Sequence, residues 1–66
     1  MTSKEKGIKL LKEGKFKDAH VELVKAAQEN PQDPLVWEKK GSCEYYLGKG
    51  VDCVASCKKG IELNPD

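Results

Sequence analysis

Apolar residues recur at helical spacing along most of the chain, and the spacing breaks at glycines and prolines. Ile8 and Leu11, then Ala19, Leu23, Ala26 and Ala27, follow i, i+3, i+4, i+7 steps, with Gly14-Lys15 interrupting the pattern between the two runs. This predicts a helix, a tight turn and a second helix. Thr2 with Glu5 three residues on has the form of a capping box, with Ser3 as the alternative cap, so the first helix starts within the first few residues. Asn30-Pro31 ends the second helix, because a residue before proline is pushed out of the helical region. Asp33-Pro34 then supplies a cap followed by proline at the first helical position. Leu35, Val36, Trp37, Tyr45, Tyr46 and Leu47 belong to a third helix, and Val51, Val54, Ala55, Cys57, Ile61 and Leu63 to a fourth. Gly48-Lys49-Gly50 reads as the turn between them. The junction from Asn30 to Pro34 is too short to part independent domains, so the four helices are expected to form one continuous stack.

A longer period underlies the helical one. Asn30-Pro31 returns as Asn64-Pro65, and that interval of 34 positions, from 30 to 64, also carries Gly7 onto Gly41, Gly14-Lys15 onto Gly48-Lys49, Asp18 onto Asp52 and Lys25 onto Lys59. The chain reads as two copies of one unit, residues 1–34 and 35–66, within a single domain 1–66. In these features it resembles the tetratricopeptide repeat proteins. Gly7 with Ala19, and Gly41 with Cys53, hold the small places where the family's paired helices approach. Gly14-Lys15-Phe16 matches the Gly-x-aromatic turn, Leu23 the large apolar residue, Pro31 and Pro65 the closing proline, and Trp37 the motif's tryptophan. Ser3 stands at the tryptophan place of the first unit, Lys6 and Lys40 replace a usual leucine, and Gly50 replaces the turn aromatic. The resemblance implies an all-α fold of two tandem antiparallel helical hairpins and a role in binding other proteins.

The family's binding surface is the groove lined by the first helix of each unit. The corresponding places here are Lys4, Ile8, Leu11 and Lys12, then Glu38, Ser42, Tyr45 and Tyr46. Such a groove suits an extended or helical peptide, with the tyrosines offering contact area and Lys4 and Lys12 meeting an acidic group. Tyr45 is equally readable as a core residue between helices. The family's carboxylate clamp for chaperone tails matches at Lys4, but Ile8 and Lys39 stand where asparagines are expected, so that partner is not anticipated. Repeat units also have an apolar flank that needs a neighbour, and these 66 residues are expected to hold no capping helix after the second unit. Val51, Val54, Ala55 and Ile61 are therefore a candidate self-association face. The alternative function is structural: units stacking into a dimer or larger oligomer, or a piece of a longer array, with an empty groove.

Composition narrows the remaining classes. A chain of 66 residues buries only about 60% of its unfolded surface and supports one small core. Its net charge is +1 although 35% of residues are charged, which points to neither nucleic acid nor a membrane surface. The lysines between Lys4 and Lys17 make the first helix locally basic, a pattern expected of a solvated face. No apolar run reaches the length of a membrane span or a signal-peptide core, and a cytosolic setting is the default expectation. Cys43, Cys53 and Cys57 with His20 are the only metal-ligand set to weigh. Their spacing differs from loop-borne thiolate pairs, and Cys53 and Cys57 occupy packing places of the repeat, so core burial is expected and no cofactor is implied. His20 is expected at a surface or half-buried place with no acid or thiol nearby. Gly48-Lys49-Gly50 lacks the leading glycine, the following Ser or Thr and the preceding strand of a phosphate loop. No nucleophile and base pair is suggested, and the chain is not read as an enzyme.

Overall fold

The computed structural model describes residues 1–64; Pro65, the second closing proline, lies outside the described residues. Helices α1 (Ser3–Lys12), α2 (Phe16–Glu29), α3 (Pro34–Tyr46) and α4 (Gly50–Leu63) follow one another through short turns. Thr2 caps α1 reciprocally: its hydroxyl accepts from the Glu5 amide at 3.2 Å while the Glu5 carboxylate accepts from the Thr2 amide at 3.2 Å. Asp33 caps α3, accepting from the Leu35 amide at 3.1 Å, with Pro34 at the first helical position.

Both hairpin turns are closed in one way. The amide of Lys15 donates to the Leu10 carbonyl at 2.9 Å and that of Gly14 to Leu11 at 3.1 Å; Lys49 donates to Glu44 at 2.8 Å and Gly48 to Tyr45 at 3.2 Å. These paired bonds satisfy the last helical carbonyls and require a left-handed residue, which Gly14 (φ 79°) and Gly48 (φ 77°) supply. Gly50, expected in the second turn, instead opens α4 as a helical residue. The turn ends at Lys49 because the left-handed step at Gly48 already reverses the chain.

Each helix packs on the next, and α1 also touches α3. One core cluster joins Ala19, Leu23 and Cys43, flanked by Leu10 and Leu11; a second joins Ala26, Ala27 and Val36, flanked by Trp37. Gly7 sits so close to α2 that an added Cβ would come within 2.6 Å of the Leu23 Cγ. Its closest neighbour is thus Leu23, one turn beyond the expected Ala19. At Gly41 an added Cβ would meet the Cys57 Sγ at 2.9 Å and the Ser56 Cβ at 3.5 Å before the Cys53 carbonyl at 3.6 Å.

The fourth helix corrects two expectations. Cys57, expected in the core, is exposed and Cys53 is only half-buried, while Cys43 alone among the three is buried. Helix α4 packs on α3 along one side, which brings the Cys57 thiol close to Gly41 but leaves the residue exposed. Ser56 is the one buried residue of α4.

Candidate interaction groove

The ends of α1 and α3 and the start of α2 enclose a shallow depression of about 390 Å³, lined by Leu11, Lys12, Phe16, Lys39, Ser42 and Tyr46 with Gly14 at its rim. Tyr46 lies flat against Phe16, the ring centroids 4.4 Å apart and the planes within 15°, yet it remains 61% exposed. Tyr45 meets Tyr46 edge-on at 5.4 Å and is 71% exposed, which decides against its core reading. The row of three rings follows from helix geometry: adjacent residues on α3 point about 100° apart, so Tyr46 reaches across to α2 while Tyr45 stands beside it. Ser42 turns its hydroxyl back to donate to the Glu38 carbonyl at 3.2 Å, leaving the depression without a fixed hydroxyl donor from that residue.

Four of the expected groove residues converge here, namely Leu11, Lys12, Ser42 and Tyr46. Tyr45 borders them through Tyr46. Ile8 is half-buried on α1 and does not line the depression. Lys4 is committed elsewhere, its ammonium 2.7 Å from the Asp33 carboxylate at the α3 cap. That hydrogen bond is the main reason the Asp33 carboxyl sits below the ordinary carboxylate range. Glu38 opens onto a different depression of about 290 Å³ between α3 and α4, with Pro34, Cys57, Gly60, Ile61 and Asn64. The expected self-association residues Val51, Val54, Ala55 and Ile61 are all exposed, Val51 by 86%.

The most heavily buried polar group is one that the spacing of apolar residues does not single out. Glu44 is 1% exposed and holds α2, α3 and α4 together. Its carboxylate accepts from Lys40 Nζ at 2.7 Å, Ser56 Oγ at 2.6 Å and His20 Nε2 at 2.9 Å, and Ser56 in turn accepts from Lys40 at 3.0 Å. A carboxylate only accepts, so the His20 proton resides on Nε2. His20 therefore does have an acid beside it, contrary to expectation, because a helix pair distant in sequence delivers that acid. Burial pushes the Glu44 carboxyl up, but the bonds from Lys40, Ser56 and His20 outweigh it and leave the group below its ordinary range. Burial, with the Glu44 charge second, raises the Cys43 thiol. The signal for the cluster in the sequence is Lys40 in a leucine place with Glu44 one turn later. The cluster is fully satisfied, with no unpartnered buried side-chain polar atom among the described residues, and it ties α2 to α3 and α4. No group of three or more His, Cys, Asp or Glu among the described residues is placed to hold a metal ion.

An all-α stack of two antiparallel helical hairpins has the architecture of a tetratricopeptide-type fragment. Comparison with known proteins gives low-identity relatives in keeping with that class. The chain is 34% identical over 62 residues to Hsp70-Hsp90 organizing protein 2 of Arabidopsis thaliana, covering 94% of this chain and 11% of the relative. It is 40% identical over 45 residues to a Protein SGT1 homolog of Bos taurus, covering 68% of this chain and 13% of the relative. It is 27% identical over 62 residues to U-box domain-containing protein 70 of Oryza sativa, covering 94% of this chain and 8% of the relative. The chain thus spans about a tenth of the length of the relatives it matches. No family model matches the chain, and no solved structure matches it. No helix among the described residues is long and apolar enough to cross a membrane.

Proposed function

We propose that the chain is a protein-interaction module, one domain of two tetratricopeptide-type units at 1–34 and 35–66. In this reading it works in the cytosol and holds a short acidic segment of another protein in the groove between α1 and α3. One observation carries the reading: the exposed Tyr46 ring stacked on Phe16 beside Lys12 and Lys39 over a shared depression. Rigid aromatic rings give contact area at small entropic cost, and two ammonium groups favour an acidic residue next to an apolar one. The relatives named as Hsp70-Hsp90 organizing proteins support a protein partner. Chaperone tails rank behind other acidic segments, because Lys4 is engaged by Asp33 and Ile8 and Lys39 take the places of the clamp asparagines.

A test begins by selecting peptides from a displayed random library against the immobilised, reduced chain and measuring their affinity by fluorescence anisotropy. Lys12→Glu and Tyr46→Ala should each weaken the selected peptides about tenfold, the scale of an interface hot spot, with helical circular dichroism unchanged. Affinities that ignore both substitutions would remove the groove from the account. The exposure of Val51, Val54 and Ile61 favours a second reading, in which two copies pair through α4. Val54→Glu separates the two, since it should abolish any concentration-dependent dimer seen by light scattering while sparing peptide affinity.

A further inference from the structure

The positions that seat α3 recur one repeat interval later at the other end of the molecule, with one charge inverted and the small Ala27 exchanged for the bulkier Ile61. Within the chain, the start of α3 is held by Lys4, which pairs with the cap residue Asp33, and by the small pair Ala26 and Ala27, against which Val36 and Trp37 pack. Advancing those receiving residues by the repeat interval turns Lys4 into Glu38, Ala26 into Gly60 and Ala27 into Ile61. All three line the single depression between the start of α3 and the end of α4. Glu38 is exposed and makes no ion pair among the described residues, and Ile61 is 63% exposed.

We propose that this depression seats the first turns of a partner helix with a Lys or Arg at its cap and a bulky apolar pair three and four residues later. The spacing is that of Asp33 to Val36 and Trp37, and the basic cap answers the reversal from Lys4 to Glu38. A second copy of this chain stacked in the same register does not fit. Its α1 presents Thr2 and Ser3 at the places of Val36 and Trp37, so it brings no apolar anchor to Ile61. The occupant is therefore a helix of different sequence, and the surface is separate from the α1–α3 groove.

The probe is a synthetic, side-chain-stapled peptide of residues 33–46 carrying Asp33→Arg and Cys43→Ser, the basic-cap peptide. It is compared with an acidic-cap peptide that carries Cys43→Ser alone and so retains Asp33. Stapling is needed because so short a helix is marginal alone in water. The basic-cap peptide should bind the chain roughly fivefold more tightly than the acidic-cap peptide, the scale of a reversed exposed ion pair. Glu38→Lys in the chain should invert that preference, and Ile61→Lys should abolish binding of both, with circular dichroism unchanged. Preference for the acidic-cap peptide regardless of Glu38→Lys would mean that the peptide displaces the chain's own α3 beside Lys4, which overturns the proposal. Equal affinities, no binding, or a dimer abolished by Ile61→Lys would overturn it as well, the last by making a second copy the occupant.

Discussion

At Gly7 the absence of a side chain sets the distance between two helices. An alanine Cβ there falls 2.6 and 2.7 Å from Leu23 carbons, and Leu23 is wholly buried, so the side chain or the helix must shift. Overpacking of a filled core costs about 1–3 kcal/mol, more than the gain of nearly 1 kcal/mol from replacing a helical glycine. Gly7→Ala should therefore lower the thermal midpoint, and a rise would show that the pair can separate freely. Gly60 is the reverse case: its added Cβ finds its nearest atom at 3.5 Å, an ordinary contact. Gly60→Ala should stabilise the fold by about 0.5–1 kcal/mol, read as a midpoint several degrees higher. Both glycines look alike in the sequence, since each lies mid-helix, and only the facing residue tells them apart. Local signals were more legible. Thr2 with Glu5, Asp33 with Pro34 and the turn glycines Gly14 and Gly48 all act through neighbours within five positions, and each performs the local role that its residue type implies. Gly50 was misplaced because its role depends on where the preceding reversal is completed.

Between elements, the buried Glu44 couples the two hairpins in a pH-dependent way. Its folded pKa lies below the unfolded value of about 4.3, so both states are ionised above that pH and the full stabilisation is present. As pH falls, the unfolded state binds a proton first, and the stabilisation is lost as pH passes through the folded pKa. Glu44→Gln should be less stable than the parent at neutral pH, with a urea midpoint that falls less steeply between about pH 5 and 3. Asp33 shifts in the same direction and persists in the variant, so some slope remains. Parallel curves for the two proteins would deny Glu44 this role. Periodicity could not announce the cluster, because His20, Lys40, Glu44 and Ser56 come from three helices and only Lys40 and Glu44 share one. Cys57 fails for a related reason: a residue at a packing place is buried only where a neighbouring helix lies over it, and periodicity does not report how many neighbours α4 has.

At the scale of the molecule, four helices stack in one direction and leave two distinct surfaces, a basic aromatic groove over α1 and α3 and an apolar flank on α4. The all-α hairpin order was legible from the repeat interval, and four of the eight places assigned to a groove line one depression. Lys4 and Glu38 were assigned to it by register, but side-chain pairing at the α3 cap and the opening between α3 and α4 redirect them. An acidic ligand held by Lys12 and Lys39 should weaken as salt rises, because exposed charges are screened over about 10 Å at 0.1 M ionic strength. The most direct test of the groove is residue-resolved. Backbone amide shifts of the labelled, reduced chain are followed while a library-selected acidic peptide is titrated in. The account predicts that the largest changes cluster at Leu11, Lys12, Phe16, Lys39, Ser42 and Tyr46, with α4 nearly still; changes centred on Val51, Val54 and Ile61 instead would contradict it.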